Sequence, residues 1–262
     1  MGPSLAEILE STRRSIDGLR SRRAELERAA AGAPVPRSFA TALRGGRVAL
    51  IAEVKRRSPS SGLIQADLDP ARQADAYADG GAAAISVLTD RPFFGGSIGD
   101  LEQVVARVGV PVLRKDFILD ESQVFEARAS GAAAILLIVR ALTPARLSEL
   151  QAVAKDAGLD SLVEVHTERE LDGALNADAR VIGVNSRDLD TFRIDVDSAW
   201  RLIREVPADR IVVAESGMAT VADVERAASA GADAVLVGTA LSGSADPAAS
   251  TRALASVRRH GR

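Results

Sequence analysis

The sequence predicts a (β/α)8 TIM barrel, and three features carry that expectation. First, eight short runs rich in Val, Ile, Leu or Ala recur along the 262 residues, at 48–54, 84–88, 110–113, 133–139, 161–165, 181–184, 211–214 and 234–237. Nearly every position in them is apolar, as in parallel strands covered on both faces. Second, stretches of Ala, Leu, Glu and Arg with helical spacing lie between or after them, at 69–79, 98–107, 122–130, 144–157, 167–175, 195–205, 220–230 and 247–259. Third, one phrase repeats: Gly81-Ala-Ala-Ala-Ile85, Gly131-Ala-Ala-Ala-Ile135 and Gly231-Ala-Asp-Ala-Val235, spaced by 50 and 100 residues. Each reads as a helix stopped by glycine and followed by a strand. The alternative, an open doubly wound sheet, lacks the G-x-G-x-x-G expected after its first strand.

Local signals support the individual elements. Pro144 suits a first helical turn with Thr143 as its cap, and Asp195 and Thr220 cap two later helices. Near the N-terminus, Ser4 and Glu7 have capping-box spacing, and Leu5, Ile8, Leu9, Ile16 and Leu19 fall largely on one helical face. This helix is expected to pack on the barrel or cover one end, with Ala33-Pro-Val-Pro36 as an extended link toward the first strand. Residues 1–262 read as a single domain, in which 1–46 form a helical extension and 47–262 the barrel.

Composition removes several function classes. With 33 basic and 36 acidic residues the formal charge is −3, which excludes nucleic-acid binding driven by bulk charge. The chain has no cysteine, hence no thiol nucleophile or disulfide framework. Its two histidines, His166 and His260, exclude a His-rich metal cage, although carboxylate-bound magnesium stays open. No apolar run approaches the roughly 18 residues that cross a bilayer. The first thirty residues hold six arginines and no apolar signal-peptide core, so a cytoplasmic protein is expected. Only three of the 33 basic residues are lysine: Lys55, Lys115 and Lys155. Arginine stays protonated in proteins, whereas lysine can exchange a proton. Lys155 reads as a surface residue.

A barrel of this kind carries its active site at the C-terminal strand ends. There the sequence places Glu53 and Lys55, Arg114-Lys115-Asp116, Glu164 and His166, Asn185-Ser-Arg187, Glu215-Ser-Gly217, and Gly238-Thr239. Alternation along a strand puts Glu53 and Lys55 on one inward face, while Arg114 and Asp116 point away from Lys115. Converging acids and lysines shift one another's pKa values, as acid–base chemistry requires. His166 reads as a packed or solvated histidine. Phe93, Phe94 and Phe117 follow strands two and three, as core or as a wall for an aromatic substrate. The pairs Ser216-Gly217 and Gly238-Thr239 follow the last two strands, where barrels often bind phosphate through backbone N–H groups.

The segments Ile51-Ala-Glu-Val-Lys-Arg-Arg-Ser-Pro-Ser60, Leu113-Arg-Lys-Asp-Phe117, Val163-Glu-Val-His166, Gly183-Val-Asn-Ser-Arg-Asp-Leu189 and Ala214-Glu-Ser-Gly217 resemble the indole-3-glycerol phosphate synthase family of tryptophan biosynthesis. The resemblance implies decarboxylating ring closure of 1-(2-carboxyphenylamino)-1-deoxyribulose 5-phosphate to indole-3-glycerol phosphate, CO2 and water, without metal or organic cofactor. It implies that Lys115 is the general acid at the carbonyl, and that Glu164 and Glu53 serve dehydration and stabilise cationic intermediates. By the same resemblance Lys55 lies near the phosphate and takes part in proton transfer. Asn185 and Arg187 orient the anthranilate end, beside Phe94 and Phe117. Ser58, Glu215, Ser216, Gly217, Gly238 and Thr239 complete the substrate-binding set, those other than Glu215 holding the polar tail and phosphate. The partner is a small phosphorylated molecule, and the protein a monomer or weak homo-oligomer.

A lysine donor is expected to have its pKa lowered by its site. The chain departs from the family pattern at Pro92, Gly95 and Thr239, where longer polar residues are commoner at the first two and Glu or Ser at the third. Two other readings suit the same residues: a different phosphosugar isomerase or Schiff-base aldolase, and a barrel serving only as a scaffold or ligand-binding subunit.

Overall fold

The structure is a computed structural model and describes residues 3–59 and 62–261. Eight strands, β1 (Ala49–Val54), β2 (Ala84–Leu88), β3 (Val112–Lys115), β4 (Ala134–Ile138), β5 (Asp160–Val165), β6 (Val181–Asn185), β7 (Ile211–Glu215) and β8 (Ala234–Val237), form the barrel wall. All pairings are parallel, and the ring closes where β1 pairs with β8. This is the (β/α)8 barrel that the repeat predicts. In the loop after β1, Arg57–Ser58 and Gly62–Leu63 add a short antiparallel pair.

The helices are α1 (Leu5–Arg20), α2 (Arg23–Gly32), α3 (Phe39–Ala42), α4 (Pro70–Asp79), α5 (Arg91–Phe94), α6 (Ile98–Arg107), α7 (Glu121–Ala129), α8 (Pro144–Asp156), α9 (Glu168–Asn176), α10 (Val196–Glu205), α11 (Val221–Ala230), α12 (Thr239–Ser242) and α13 (Pro247–Leu254). Asp69, Thr143, Thr167, Asp195, Thr220 and Asp246 each cap a helix start by accepting a backbone N–H bond. Each such cap contributes about 1 kcal/mol. The repeated glycine phrase is a helix stop. Gly81, Gly131 and Gly231 adopt φ of 91°, 81° and 105°. The next amide, Ala82, Ala132 or Ala232, bonds back to the carbonyl five residues earlier at 3.0 Å. A side chain at each glycine would be strained in that left-handed turn.

Strand alternation divides the core. Leu50, Ala52, Val54, Ile85, Val87, Val163, Val165 and Val212 face the helices and belong to the outer apolar layer. Ile51, Leu113, Leu136, Leu162, Val213 and Leu236 face inward and fill the barrel. The polar residues two positions further along these strands therefore stand on an apolar plug at the C-terminal mouth.

Most boundaries fall within a residue or two of expectation, and the larger differences have physical causes. β3 begins two residues later, because Pro111 offers no N–H to a ladder and contributes only its carbonyl, to the Ile85 amide. Lys115 is consequently the last strand residue. The final helix stops at Leu254, and the tail returns to pair Arg258 with Arg47. The N-terminal segment holds three helices where one was expected. α1 ends at a two-residue break, Ser21-Arg22, that contains neither Gly nor Pro, and α2 starts without a side-chain cap. α1 has the predicted capping box and buries Leu5, Ile8, Leu9 and Ile16, whereas Leu19 is half-buried. α2 lies along α7. α3 is tied to the start of β5, where Asp160 accepts bonds from Ala40 N (2.9 Å) and Ser38 Oγ (3.0 Å). Phe39 and Leu43 are fully buried and join the barrel-filling cluster.

Candidate active site

Glu53 is the electrostatic centre of the mouth. Its Oε1 lies 2.7 Å from Lys55 Nζ and its Oε2 3.5 Å from Lys115 Nζ. The carboxylate is 3% exposed, so both contacts act in a medium that screens them weakly. Burial alone would raise its pKa; the two ammonium groups outweigh burial and hold it below the usual value. Gly238, at the end of β8, makes this approach possible: a Cβ there would collide with Glu53 Oε1 and lie 2.9 Å from Lys55 Nζ.

Lys115 has the opposite balance from the one anticipated for a lysine donor. Burial lowers its pKa, but Glu53, Glu215 and Glu164 together push it well above the usual value. The site holds this amine firmly as ammonium, a loaded proton donor.

Glu164 and Glu215 are 1% and 2% exposed. β6 stands between their strands, and its residue at this level is Gly183, paired with Glu164 on one side and Val213 on the other. A Cβ on Gly183 would strike Glu215 Oε1, so the missing side chain is the space that Glu215 occupies. Burial, and next the Glu164 carboxylate, raise the Glu215 pKa well above normal, with Lys115 opposing. Glu215 therefore favours its protonated form more strongly than a free carboxyl does. His166, just past Glu164, is packed: its Nε2 lies 3.5 Å from Glu164 Oε1 and its Nδ1 3.1 Å from Glu170 Oε2.

Two cavities meet at Lys115. The larger, of about 430 Å³, is lined by Glu53, Lys55, Ser58, Arg187, Glu215, Ser216, Gly217, Gly238 and Thr239. The smaller, about 60 Å³, is more apolar, lined by Phe117, Leu136, Ile138 and Glu164. Lys115, Phe94 and Asn185 border both. The rings of Phe94 and Phe117 are 6.3 Å apart and tilted by 40°. The residues expected to serve catalysis or substrate binding all line one or other of these cavities, whereas Phe93, Arg114 and His166 line neither. Lys155 is exposed in the last turn of α8. Arg114 points away from the lumen, as alternation requires, yet is buried: it pairs with Asp116 (3.1 Å) and Glu126 (2.9 Å) beneath α7.

Loops complete the enclosure. After β6, Asn185 Oδ1 accepts from Arg187 N (3.0 Å), and Arg187 Nη1 donates to the Phe192 carbonyl (3.1 Å). Phe192, at φ 57°, lines the cavity with Leu189 and Ile194. Sequence reasoning missed these three, Pro59 and Met218, since only the folded loops turn them to the mouth. The departures in the loop after β2 have a local account. Pro92 sits in the first turn of α5, Asp90 caps that turn through Phe93 N and Phe94 N, and Gly95 closes it at φ 67°. The result carries Phe94 to the cavity. Thr239 begins α12, whose Ser242 Oγ donates to the Glu53 carbonyl (3.1 Å). Among the described residues, no group of three or more Asp, Glu or His is arranged to hold a metal ion. No helix there is long and apolar enough to cross a membrane.

Known proteins place this arrangement in a family. The family model described as Indole-3-glycerol phosphate synthase matches residues 5–254. A protein of that name from Desulfosudis oleivorans is 47% identical over 247 residues, covering 92% of this chain and 94% of its own. Indole-3-glycerol phosphate synthase 2 from Streptomyces coelicolor is 51% identical over 231 residues, covering 88% and 90%. Among solved structures, 3-hexulose-6-phosphate synthase from Salmonella typhimurium shares the fold alone, with a TM-score of 0.63 at 16% identity over 79% of this chain and 97% of that one. A family match spanning nearly the whole chain, over a closed barrel whose mouth gathers two lysines and three buried glutamates, leads to one conclusion: the chain belongs to the indole-3-glycerol phosphate synthase family.

Proposed function

We propose that this protein closes the indole ring of 1-(2-carboxyphenylamino)-1-deoxyribulose 5-phosphate, releasing CO2 and water to give indole-3-glycerol phosphate. The observation that carries this reading is the position of Lys115, where a roomy cavity edged with charged groups meets a smaller, more apolar recess. The substrate has the matching division: an aromatic acid at one end, a phosphorylated sugar at the other, and a carbonyl between them.

The aromatic ring is assigned to the side of the larger cavity next to Lys115 and Phe94, where the small recess of Phe117, Leu136 and Ile138 opens; Asn185 borders both cavities and Arg187 the larger one. The phosphate fits the backbone around Ser216-Gly217 and Gly238-Thr239, with Ser58 and Lys55 nearby. The ring carbon bearing the carboxylate attacks the C2 carbonyl, and the Lys115 ammonium gives its proton to the oxygen as negative charge develops there. Glu53 and Glu164 stabilise the positive charge that spreads over the ring and nitrogen. The carboxylate leaves as CO2 and its bonding pair restores the ring. In dehydration the C2 hydroxyl departs as water on receiving a second proton, which Lys55 can supply. Glu164 takes one from the adjoining carbon. Two protons given and one taken make a net uptake of one per turnover, which matches the loss of a carboxylate as neutral CO2.

The test is formation of indole-3-glycerol phosphate by purified protein, followed by fluorescence, in the parent and in Lys115→Met. The parent turns over; the variant retains substrate binding and loses turnover. Normal turnover in the variant defeats the assignment of the acid. A borohydride-trapped adduct on Lys115 or Lys55 moves the reading to a Schiff-base aldolase.

We further propose that residues 1–262 act as one domain in the cytoplasm, as a monomer or weak homo-oligomer. What supports weak association is the small exposed apolar surface: among the described residues the exposed large hydrophobics are Val35, Leu63, Ile194 and Val221. Light scattering at micromolar concentration reads the state directly.

A further inference from the structure

Glu53 is held at both ends by residues 238–242. At its side chain, the backbone of Gly238 passes so close that a Cβ there would collide with Glu53 Oε1. At its backbone, the Glu53 carbonyl accepts from Ser242 Oγ at 3.1 Å and lies 3.4 Å from Tyr77 Oη. Strand pairing explains why hydroxyls are needed there. Carbonyls along β1 alternate between its two neighbours, and Leu50 accepts from Ala83 N on the β2 side, which turns Glu53 to the β8 side. β8 ends at Val237, opposite Ala52, and the chain then turns into α12, so no strand amide remains for that carbonyl. A buried carbonyl left unpaired is costly. Ser242 supplies the donor from α12, where its own N–H bonds back to the Gly238 carbonyl at 2.9 Å.

Tyr77 supports that donor from α4. It is the chain's only tyrosine and is fully buried. Gln73 Nε2 donates to its Oη at 2.8 Å, and Oη lies 3.3 Å from Ser242 Oγ. Burial pushes the phenol up to about 12, so it stays a donor. Each hydroxyl has one proton to give, so the shorter contacts run from Gln73 to Tyr77, from Tyr77 to Ser242, and from Ser242 to the Glu53 carbonyl. Neither Tyr77 nor Ser242 lines the cavity. What they reach is Glu53, whose carboxylate stands 2.7 Å from Lys55 Nζ and 3.5 Å from Lys115 Nζ.

We infer that Tyr77 and Ser242 are positioning residues that carry the grip on the substrate phosphate at Gly238-Thr239 through α12 to Glu53, and thereby set where Lys55 and Lys115 stand during ring closure. The inference rests on the proposed reaction, with the phosphate against that backbone. A phosphate held there fixes the turn that bears Ser242. Binding energy from a group remote from the reacting carbons is then expressed in kcat. Neither hydroxyl makes or breaks a bond of the substrate.

The experiment is steady-state kinetics, followed by indole fluorescence, in the parent, Tyr77→Phe, Ser242→Ala and the double variant, with thermal melting of each. The same assay is run on the substrate lacking its phosphate, alone and with inorganic phosphite added. On the whole substrate each single variant is expected to lose kcat by roughly 5-fold, the worth of about one hydrogen bond, and the double variant more, with KM near the parent's. On the truncated substrate the loss is smaller, and phosphite raises the parent's turnover more than the double variant's. Equal or larger losses on the truncated substrate, a raised KM at constant kcat, or parent-like kinetics in the double variant overturn the coupling. Where the truncated substrate gives no turnover with the parent, the split between kcat and KM on the whole substrate decides. Ser242→Ala reports the same link if Tyr77→Phe does not fold. A parent that forms no product overturns the ring-closure reading and this inference with it, whereas an active parent with any of those three results overturns this inference alone.

Discussion

The carboxylate of Glu53 fills the space into which a side chain on Gly238 would project. This glycine directly follows β8 where that strand passes the end of β1, and a Cβ there would meet both Glu53 and Lys55. Gly238→Ala is expected to displace Glu53 and Lys55 together and to lower kcat/KM by roughly 100-fold, the cost of misplacing a catalytic group by about 1 Å. Circular dichroism stays native. Steady-state kinetics with parent-like kcat/KM would show that the crowding is relieved elsewhere.

Gly238 also marks how far the sequence could be read. A glycine after the eighth strand signalled close backbone approach, and the expected visitor was a phosphate. That the nearer visitor is Glu53 depends on how β8 meets β1 across the closure of the barrel, a contact between residues far apart in the chain. Gly183 carries the same lesson: strand alternation puts it on the same face as Asn185, but only the ring of strands reveals that Glu215 occupies its empty place. Repetition made the barrel legible, because each strand and helix carries its own apolar period and cap. The α1–α2 break had no Gly or Pro to announce it. The direction of the Lys115 shift required knowing that three carboxylates, from β1, β5 and β7, surround one amine.

Glu215 should destabilise the fold at neutral pH. Its pKa is raised on folding, first by burial and then by Glu164. The unfolded chain releases that proton near the ordinary value of about 4.3, whereas the folded chain keeps it. Stability therefore falls as pH rises from the unfolded pKa toward the folded one. Glu215→Gln removes the titration and keeps the shape. Its Tm is expected to exceed the parent's by a few degrees at pH 7, with the gain vanishing near pH 4. Melting curves across that range check it; a variant less stable than the parent at pH 7 would place a charge on Glu215.

Glu53 should show the reverse sign in the same cavity. Its pKa is lowered on folding because Lys55 and Lys115 outweigh burial. Its contribution is present above the unfolded pKa and is lost as pH falls through the folded one. Glu53→Gln leaves two largely buried ammonium groups without their shared partner, a loss on the order of 3 kcal/mol for a broken buried pair. The deficit is expected in full at pH 7 and to narrow in acid. Denaturant unfolding at several pH values measures it, and a deficit that widens on acidification contradicts the assigned direction.

Phe94 and Phe117 touch the same chamber but should fail in different ways. Phe117 is 8% exposed and belongs to the barrel-filling cluster, whereas Phe94 is only packed against that cluster and is held out by the α5 turn. Phe117→Ala opens a hole in the core, and stability is expected to drop by about 3 kcal/mol, with a raised KM. Phe94→Ala removes one wall of the ring chamber while leaving the plug beneath it intact. Its Tm should stay within a few degrees of the parent, and KM should rise several-fold at nearly constant kcat, the pattern of lost uniform binding. Melting curves and Michaelis plots on both variants separate the two. A Phe94→Ala enzyme whose kcat falls while KM holds would mean that this ring acts on the transition state and not on substrate binding.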